Sequence, residues 1–239
     1  FFKDLTDIIK VQKLKSDFVA NVSHELRTPL QSIKLGLETI NNGHAAKDLE
    51  SQKKILPVVL QQTSRMENIV NDLLSLSRIE LQEHIRPNEK VNLNDIISHS
   101  IELHQEILKK NNIECQFERE SKNVKINGDR NRLIEVFNNL IDNGIKYSEK
   151  NKKITITTKS ENKNFLVTIE DQGIGISKEN IPQVTERFFR VDPAKSKEVG
   201  GTGLGLAIVK HIVNQHRAEM TISSEINKGT EISLNFPTI

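Results

Sequence analysis

Two short glycine-rich segments are the first features of this sequence that could do chemistry. Asp171–Gly175 directly follows a predicted strand, and Gly200–Gly205 directly precedes a predicted helix. A glycine-rich turn at a helix start leaves backbone N–H groups and the positive end of the helix dipole free to hold phosphate. Neither segment is a P-loop, because no Gly-Lys-Ser/Thr follows, and neither fits the dinucleotide fingerprint. Each one alone is more often a plain turn, so a phosphate site needs further residues.

A polar helix supplies such residues. Within Glu135–Tyr147, Asn139 and Asn143 are one helical turn apart on one face, and Lys146 follows three residues later. Two neutral oxygen ligands and a lysine charge suit a Mg²⁺–phosphate site, where the metal keeps several waters. A solvated polar helix face explains these residues equally well on their own.

His24 lies on a helix whose apolar residues recur every three or four positions in one stripe. At ~3.6 residues per turn it is about 200° around the helix from both Val22 and Leu26, which predicts that it faces solvent. Glu25 is its neighbour in the chain, and Thr28 is one turn further along the same face. A zinc site of the metalloprotease type is excluded, because Thr28 stands where that motif needs a second histidine. The other histidines are interpreted as ordinary surface residues: His44, His84, His99, His104, His211 and His216.

The stripe predicts a first long helix, bent at Pro29, that ends at Asn41–Gly43. A second stripe with heptad-like spacing predicts a second helix and hence a helical hairpin. A hairpin alone leaves much of each stripe exposed, and pairing two hairpins into a four-helix bundle would cover it. We therefore predict a homodimer formed through residues 10–84. The two stripes are Val11, Leu14, Phe18, Val22, Leu26, Leu30, Ile33, Leu37 and Ile40, and then Leu56, Val59, Thr63, Met66, Val70 and Leu73.

The remainder predicts an α/β sandwich over 92–239, joined to the hairpin by a linker at 85–91 that contains Pro87. Asn92 offers N-cap chemistry for the first helix of this block. Strands with interleaved helices suggest a sheet covered by helices on one face. Helices are predicted over Asn92–Lys110, Arg130–Tyr147 and Leu204–Gln215, and strands over Ile113–Phe117, Val124–Ile126, Ile154–Thr158, Phe165–Glu170, Met220–Ser223 and Glu231–Phe236.

Composition limits the kind of protein. The 34 Lys+Arg nearly balance the 32 Asp+Glu, so no broad field points to nucleic acid, and no such partner is predicted. The single cysteine, Cys115, rules out an internal disulfide and suits a reducing cytosol. No apolar run approaches the ~20 residues of a membrane span. Because the chain begins Phe1-Phe2-Lys3 without a methionine, we expect a cytoplasmic fragment whose longer parent could carry a span.

Taken together and in order, these segments resemble the motifs of sensor histidine kinases. Phe18–Leu30 closely resembles the phospho-acceptor H-box, and Asn139–Lys146 resembles the N-box. The glycine boxes are matched by Asp171–Gly175 and Gly201–Gly205. The remaining resemblances are Glu186–Arg190 to the F-box, Gly229-Thr230 to the last adenine-proximal turn and, more weakly, Lys3–Asp7 within residues 1–9 to the end of a PAS sensor domain. The similarity covers roughly residues 10–237.

The resemblance implies a dimeric phosphotransfer domain over 10–84 and an ATP-binding domain of the histidine kinase, gyrase and Hsp90 type over 92–239. It implies that ATP–Mg²⁺ phosphorylates His24, and that the phosphoryl group passes to an aspartate of a response regulator receiver domain. Glu25 would fix the His24 tautomer, and Thr28 would orient water for dephosphorylation of that regulator. It also implies a parent protein anchored in the bacterial cell membrane. The implied Mg²⁺ ligands are Asn139 and Asn143, and the implied nucleotide-binding residues are Asn139, Asn143, Lys146, Tyr147, Asp171, Gly173, Gly175, Arg190, Gly201, Thr202, Gly203, Leu204, Gly205 and Thr230.

Two departures from the family pattern affect the nucleotide site. Position 144 is Gly where the family usually has Ala, which should weaken the helix by ~0.5–1 kcal/mol. The lid between Phe189 and Gly203 carries Lys195 and Lys197 where relatives often have arginine.

Two alternatives compete with this interpretation. A gyrase-like or chaperone-like ATPase would resemble residues 139–237 but would not bring a two-helix stalk with an acceptor box. A dimeric coiled-coil adaptor with a degenerate nucleotide domain would not be expected to keep His24, Asn143, Asp171 and the glycines.

Overall fold

A computed structural model of the chain describes residues 2–42, 48–121, 124–193, 196 and 199–239, and gives only the backbone at 2–8, 10, 11, 14, 15 and 42. The chain divides into two compact units, Phe1–Leu74 and Ser75–Ile239. The predicted positions Gly43, His44, Lys195 and Lys197, and the side chains of Val11 and Leu14, lie outside the described residues. Among the described residues, no helix is both long enough and apolar enough to cross a membrane.

The first unit is a helical hairpin, as the stripes predict. It consists of α1 (Phe2–Asn42) and the first part of α2 (Leu49–Gln82). Pro29 lies within α1, which continues through it. Gly36 lets the two helices approach closely, because a Cβ there would lie 2.6 Å from Val59 Cγ2.

The hairpin buries its stripes only in part. Val22, Leu26 and Ile33 are half-buried, whereas Leu30 and Leu37 remain 54% and 50% exposed. In the part of α2 that belongs to the first unit, the most buried residue is Ile69. It is 0% exposed, although it lies outside the predicted stripe. Leu56 and Val70 from that stripe are 46% and 41% exposed. A single hairpin therefore presents an apolar surface to solvent, as its patterning predicts.

The second unit is the predicted α/β sandwich. Its five-stranded sheet has the order β2-β4-β5-β7-β6, in which only the β2–β4 pair is parallel, and a separate antiparallel pair joins β1 to β3. The strands are β1 (Lys90–Asn92), β2 (Glu114–Glu118), β3 (Lys125–Asn127), β4 (Lys153–Glu161), β5 (Asn164–Asp171), β6 (Glu219–Glu225) and β7 (Gly229–Pro237). The helices are α3 (Leu93–Leu103), α4 (Gln105–Lys110), α5 (Arg130–Tyr147) and α6 (Gly205–Gln215).

One face of the sheet forms the core with the helices. Alternate residues of β4, β5 and β7 are buried, as the period of two in a half-buried strand requires. Phe165, Val167 and Leu234 on this face are 0–1% exposed. The matching stripe of α5, with Leu133, Phe137 and others, is buried against it.

Two predictions about the start of the second unit needed adjustment. The helix predicted over Asn92–Lys110 is two helices, because the backbone turns at His104, whose Nδ1 lies 2.8 Å from the Ser100 carbonyl oxygen. The predicted N-cap is confirmed, since Asn92 Oδ1 accepts from the Asn94 N–H at 2.9 Å. β1 begins inside the predicted linker at 85–91, because Lys90–Asn92 pairs with β3. The domain boundaries stay a prediction.

The interpretation of His216 as a surface residue was wrong. It is 2% exposed and joins the C-terminus of α6 to the N-terminus of α5. Its Nε2 accepts from the Asp129 N–H at 3.0 Å, so Nδ1 carries the proton and donates to the Ile212 carbonyl at 2.7 Å. Burial lowers the pKa of His216 below its ordinary value of 6.5, and hydrogen bonding to Ile212 and the charge of Asp129 oppose this only in part.

We expect this histidine to make the second unit less stable in mild acid. Because the folded-state pKa of His216 is depressed, the unfolded chain binds the proton more readily, and stability falls as pH drops below about 6.5. His216→Leu should lower the free energy of unfolding at pH 7.5 by about 1–3 kcal/mol and remove this part of the loss between pH 7.5 and 5.5. Urea unfolding at both pH values measures the free energy of unfolding. His84→Gln, which replaces an exposed histidine, is the control. An unchanged pH dependence in His216→Leu would contradict the assignment.

Candidate nucleotide site and phospho-acceptor helix

Helix α5 provides the polar face of the site. It starts at Asp129, whose Oδ1 accepts from the N–H groups of Asn131 and Arg132 at 2.9 and 3.1 Å, as an N-cap does. Asn139, Asn143 and Tyr147 follow at intervals of four residues, so they share one face. All three are half-buried.

Gly144 has a packing role that the sequence did not show. A Cβ at this position would lie 2.9 Å from Ile154 Cδ1 and 3.7 Å from the Asp171 Cβ. The missing Cβ therefore leaves room between α5 and the sheet for the end of the Ile154 side chain.

Asp171 ends β5 with its carboxylate fixed by backbone donors. Oδ1 accepts from the Gly173 N–H at 2.8 Å and from the Thr230 N–H at 3.3 Å. Burial raises the pKa of Asp171 above its ordinary value of 3.8, and the two backbone hydrogen bonds act in the opposite direction. Among the described residues Oδ2 has no hydrogen bond, so it can accept one from a ligand amino group.

The turns around Asp171 are packed so closely that only glycine fits. Gly175 has φ +69°, and a Cβ there would lie 2.0 Å from the Glu225 carbonyl oxygen. Gly229 has φ +117°, and a Cβ would lie 1.9 Å from the Asp171 carbonyl oxygen. At Gly173 a Cβ would lie 2.6 Å from the Tyr147 carbonyl oxygen. Asp171–Gly175 and Gly229 therefore form one closely packed wall of the site, in which the end of β5, the end of α5 and the β6–β7 turn contact one another.

Ser224 is a residue of this wall that sequence reasoning missed. Its hydroxyl donates to the Gly229 carbonyl at 2.7 Å, accepts from the Ile176 N–H at 2.8 Å, and lies 2.9 Å from Thr230 Oγ1. Nothing in the local spacing distinguishes it from the other polar residues of β6, so no sequence signal identified it.

The second glycine segment meets α5 at two points. A Cβ at Gly205 would lie 2.6 Å from Asn139 Oδ1, and one at Gly201 would lie 3.3 Å from the Tyr147 hydroxyl. Between them, Thr202 Oγ1 accepts from the N–H of the buried Leu204 at 3.2 Å. This turn precedes α6 directly, so its backbone N–H groups and the helix dipole are directed to the region beside Asn139.

Two predicted basic contacts have partners within the protein. Lys146 Nζ lies 2.6 Å from Asp142 Oδ2, and Arg190 Nη2 donates to the Thr202 carbonyl at 2.9 Å. Arg190 therefore lies at the second glycine turn. The roles of Lys146 and Arg190 toward a nucleotide stay predictions, as does any role of Lys195 or Lys197.

In the first unit, His24 is exposed, as its place relative to the stripe predicts. Thr28 Oγ1 donates to the His24 carbonyl at 3.3 Å. Glu25 Oε2 pairs with Arg65 Nη2 of α2 at 3.3 Å, and these two side chains are only 17% and 10% exposed. The pair directs the Glu25 carboxylate toward α2. Arg65 is a second residue that the sequence analysis missed.

The donor set fits a magnesium nucleotide. Neutral amide oxygens on one helix face suit Mg²⁺, which prefers oxygen ligands. The Gly201 and Leu204 N–H groups already donate within the protein, which leaves the other N–H groups at the start of α6 for phosphate. Asp171 Oδ2 offers an acceptor for an exocyclic amino group. Asn139 Nδ2 donates to the Glu135 carbonyl at 2.9 Å, which leaves its Oδ1 directed to the Gly205 side. No cluster of three or more His, Cys, Asp or Glu side chains suited to a metal occurs in the described part of the chain.

Two protein-family models match successive parts of the chain. Residues 14–82 match the "His Kinase A (phospho-acceptor) domain", and residues 128–239 match the "Histidine kinase-, DNA gyrase B-, and HSP90-like ATPase". The second match implies ATP binding. The gyrase-like alternative accounts for the second match only.

Relatives and solved structures give the same family. The phosphate regulon sensor protein PhoR of Pseudomonas aeruginosa is 34% identical over 98% of this chain and 52% of its own length. The sensor protein kinase WalK of Staphylococcus aureus is 36% identical over 98% of this chain and 56% of its length. The chain thus spans about half the length of these curated relatives.

Among solved structures, the histidine kinase AdeS of Acinetobacter baumannii matches with a TM-score of 0.70 at 26% identity, over 90% of this chain and 97% of that one. The histidine kinase ThkA in complex with the response regulator protein TrrA shares the fold, with a TM-score of 0.75 at 23% identity, over 100% of this chain and 66% of that one. With acceptor-domain and ATPase matches in one chain, and relatives that align over nearly all of it, this protein belongs to the sensor histidine kinases of two-component systems.

Proposed function

We propose that this chain transfers the γ-phosphoryl group of ATP to His24 and then to an aspartate of a response regulator. The observation that supports it best is that one chain carries both an exposed His24 and a candidate nucleotide site. In that site Asp171 lies in the first glycine turn and the α5 face with Asn139 and Asn143 approaches the second. The kinase names of the relatives support the first step. ThkA, which shares the fold, is in complex with a response regulator protein, which supports the second.

In the nucleotide site, Asp171 Oδ2 would accept a hydrogen bond from the adenine amino group. The Gly201–Gly205 turn would hold the phosphates through backbone N–H groups at the start of α6. Asn139 and Asn143 would hold Mg²⁺, which neutralises phosphate charge when bound. Phosphoryl transfer depends mostly on positioning and charge stabilisation, so this set of groups suffices.

At the acceptor, one imidazole nitrogen of neutral His24 would attack the γ-phosphorus. A nitrogen–phosphorus bond forms, the bond to the bridging oxygen breaks, and ADP leaves. Glu25, fixed by Arg65, would accept a hydrogen bond from the other ring nitrogen and stabilise the charge that develops there. His24 and the nucleotide site belong to different domains, so transfer requires the two domains to bring them together.

The exposed apolar residues of the hairpin favour a homodimer. Leu30, Leu37 and Leu56 are each about half exposed, and a second hairpin would cover them in a four-helix bundle. A membrane anchor outside this chain stays a prediction from the resemblance.

The test is incubation with ³²P-labelled ATP and Mg²⁺. We expect label on the protein that survives base and is lost in acid, as a phosphoramidate bond requires. No label, or a label that survives acid, would overturn the proposal.

Thr28→Ala tests the proposed second activity, dephosphorylation of the regulator. Pro29 has no N–H and therefore frees the Glu25 carbonyl, yet the Thr28 hydroxyl donates to the His24 carbonyl instead. Thr28 is therefore not the cap of the group that proline frees, and its oxygen can still accept from water. We expect dephosphorylation to slow by about 10- to 100-fold while His24 labelling stays near the parental rate.

The alternative is a purely structural role for Thr28. It predicts that both rates and the melting temperature fall together, by an amount typical of a lost cap, ~1 kcal/mol. Measuring both rates and the melting temperature on the same variant separates the two, and an equal loss in all three rules out the water-positioning role.

A further inference from the structure

The segment Glu186–Arg190 packs against the second glycine turn and is hydrogen-bonded to it through the backbone. The Phe188 N–H donates to the Gly203 carbonyl at 2.7 Å. A Cβ at Gly203 would lie 2.9 Å from the Phe188 Cα, so the two backbones are in direct contact. Phe188 itself has φ +64°, a left-handed conformation that a bulky residue keeps only where its surroundings impose it.

The residue before Phe188 is anchored to the end of α2. Arg187 forms an ion pair with Glu80, with side chains 38% and 33% exposed. Glu80 also lies 3.7 Å from His211 Nε2 of α6, and Glu83 lies 3.5 Å from His211 Nδ1. The last turns of α2 thus contact both the segment that holds the glycine turn and the helix that follows this turn.

This end of α2 is buried and hydrogen-bonded within the second unit. Leu76 and Ile79 are 1% and 0% exposed. Gln215 Nε2 donates to the carbonyls of Gln82 and Ile85 at 3.1 and 3.2 Å. A change in the position of Glu80 therefore cannot be absorbed by a loose helix end, and must displace Arg187 or break the pair.

We propose that Glu80 and Arg187 are positioning residues for the nucleotide. Their ion pair fixes the backbone at Arg187 and so holds Phe188 in its strained conformation. In this conformation the Phe188 N–H donates to the Gly203 carbonyl, which keeps the phosphate-binding turn in place. When the pair is broken, Phe188 relaxes toward negative φ and the turn loses a constraint. The end of α2 thereby sets the affinity for ATP, an inference that rests on the proposed function of this turn.

The experiment is a double-mutant cycle in the whole chain with Glu80→Gln, Arg187→Gln and the double variant. Binding of a non-hydrolysable ATP analogue is measured by calorimetry, and His24 labelling is measured over a range of ATP concentrations. Glu161→Gln is the matched control, because it removes the Lys159–Glu161 pair at the far end of β4. Arg187→Lys tests rescue by a conserved charge.

We expect each single variant to raise the Kd of the analogue and the KM for ATP about two- to fivefold. The double variant should be no worse than either single one, and Arg187→Lys should lie nearer the parent. Labelling at saturating ATP and the melting temperature should change little. The differences should shrink at about 1 M salt, where exposed charges are screened.

Unchanged affinity in either single variant, or effects that add in the double variant, would overturn the inference. So would a parallel fall of labelling rate, affinity and melting temperature, which indicates a merely structural pair. Absence of nucleotide binding in the parent chain would instead refute the proposed function, so the two failures are distinguishable.

Discussion

Replacing His24 with glutamine is expected to abolish phosphorylation of the chain while nucleotide binding persists. Glutamine keeps a polar side chain of similar reach but has no imidazole nitrogen to form the phosphoramidate bond. His24 is exposed on α1, so its loss removes no buried contact from the hairpin. Labelling with ³²P-ATP and calorimetric binding of an ATP analogue measure the two properties on the same preparation.

The matched control for this variant is His84→Gln, which changes another exposed histidine. It should be labelled at the parental rate. Acid-labile label of undiminished intensity in His24→Gln would show that another residue is the acceptor. A variant that loses nucleotide binding as well would contradict the separation of the acceptor from the ATP site.

Asn143→Ala should have the second-largest effect. Asn143 lies between Asn139 and Tyr147 on one face of α5, and both of these neighbours approach the second glycine turn. Asn143 is half-buried there. Loss of one preorganised polar group beside the phosphates should lower the rate of His24 labelling by about 100-fold. Because the residue is not part of the apolar core, the melting temperature should change little. Labelling is measured over a range of Mg²⁺ and ATP concentrations.

Asn131→Ala is the control for this second variant, since it removes an exposed asparagine from the first turn of the same helix. It should leave labelling unchanged. A parental rate in Asn143→Ala would place the Mg²⁺ ligand elsewhere. A loss that higher Mg²⁺ relieves in part would support a metal-binding role over a role in packing.

The sequence alone was sufficient for the parts of this protein that depend on local chemistry. Helix α5 spans Arg130–Tyr147 as predicted, because helical periodicity is a local property of the chain. The exposure of His24 followed from its angle to Val22 and Leu26 for the same reason. Motif order was enough to identify the family, since each motif carries its chemistry in a short stretch of chain.

Only the tertiary structure decided which distant residues support those motifs. Ser224, Arg65 and the Glu80–Arg187 pair contact groups that are 5 to 107 residues away in the chain. Side-chain spacing along one element cannot reveal such partners. His216 looked like a surface histidine because its burial depends on α5 and α6 meeting at Asp129. Likewise Gly144 looked only like a weakness in a helix, whereas the fold places the end of the Ile154 side chain against the position that its Cβ would occupy. Local periodicity determines which face of an element is apolar, but the contacts between faces exist only after the chain has folded.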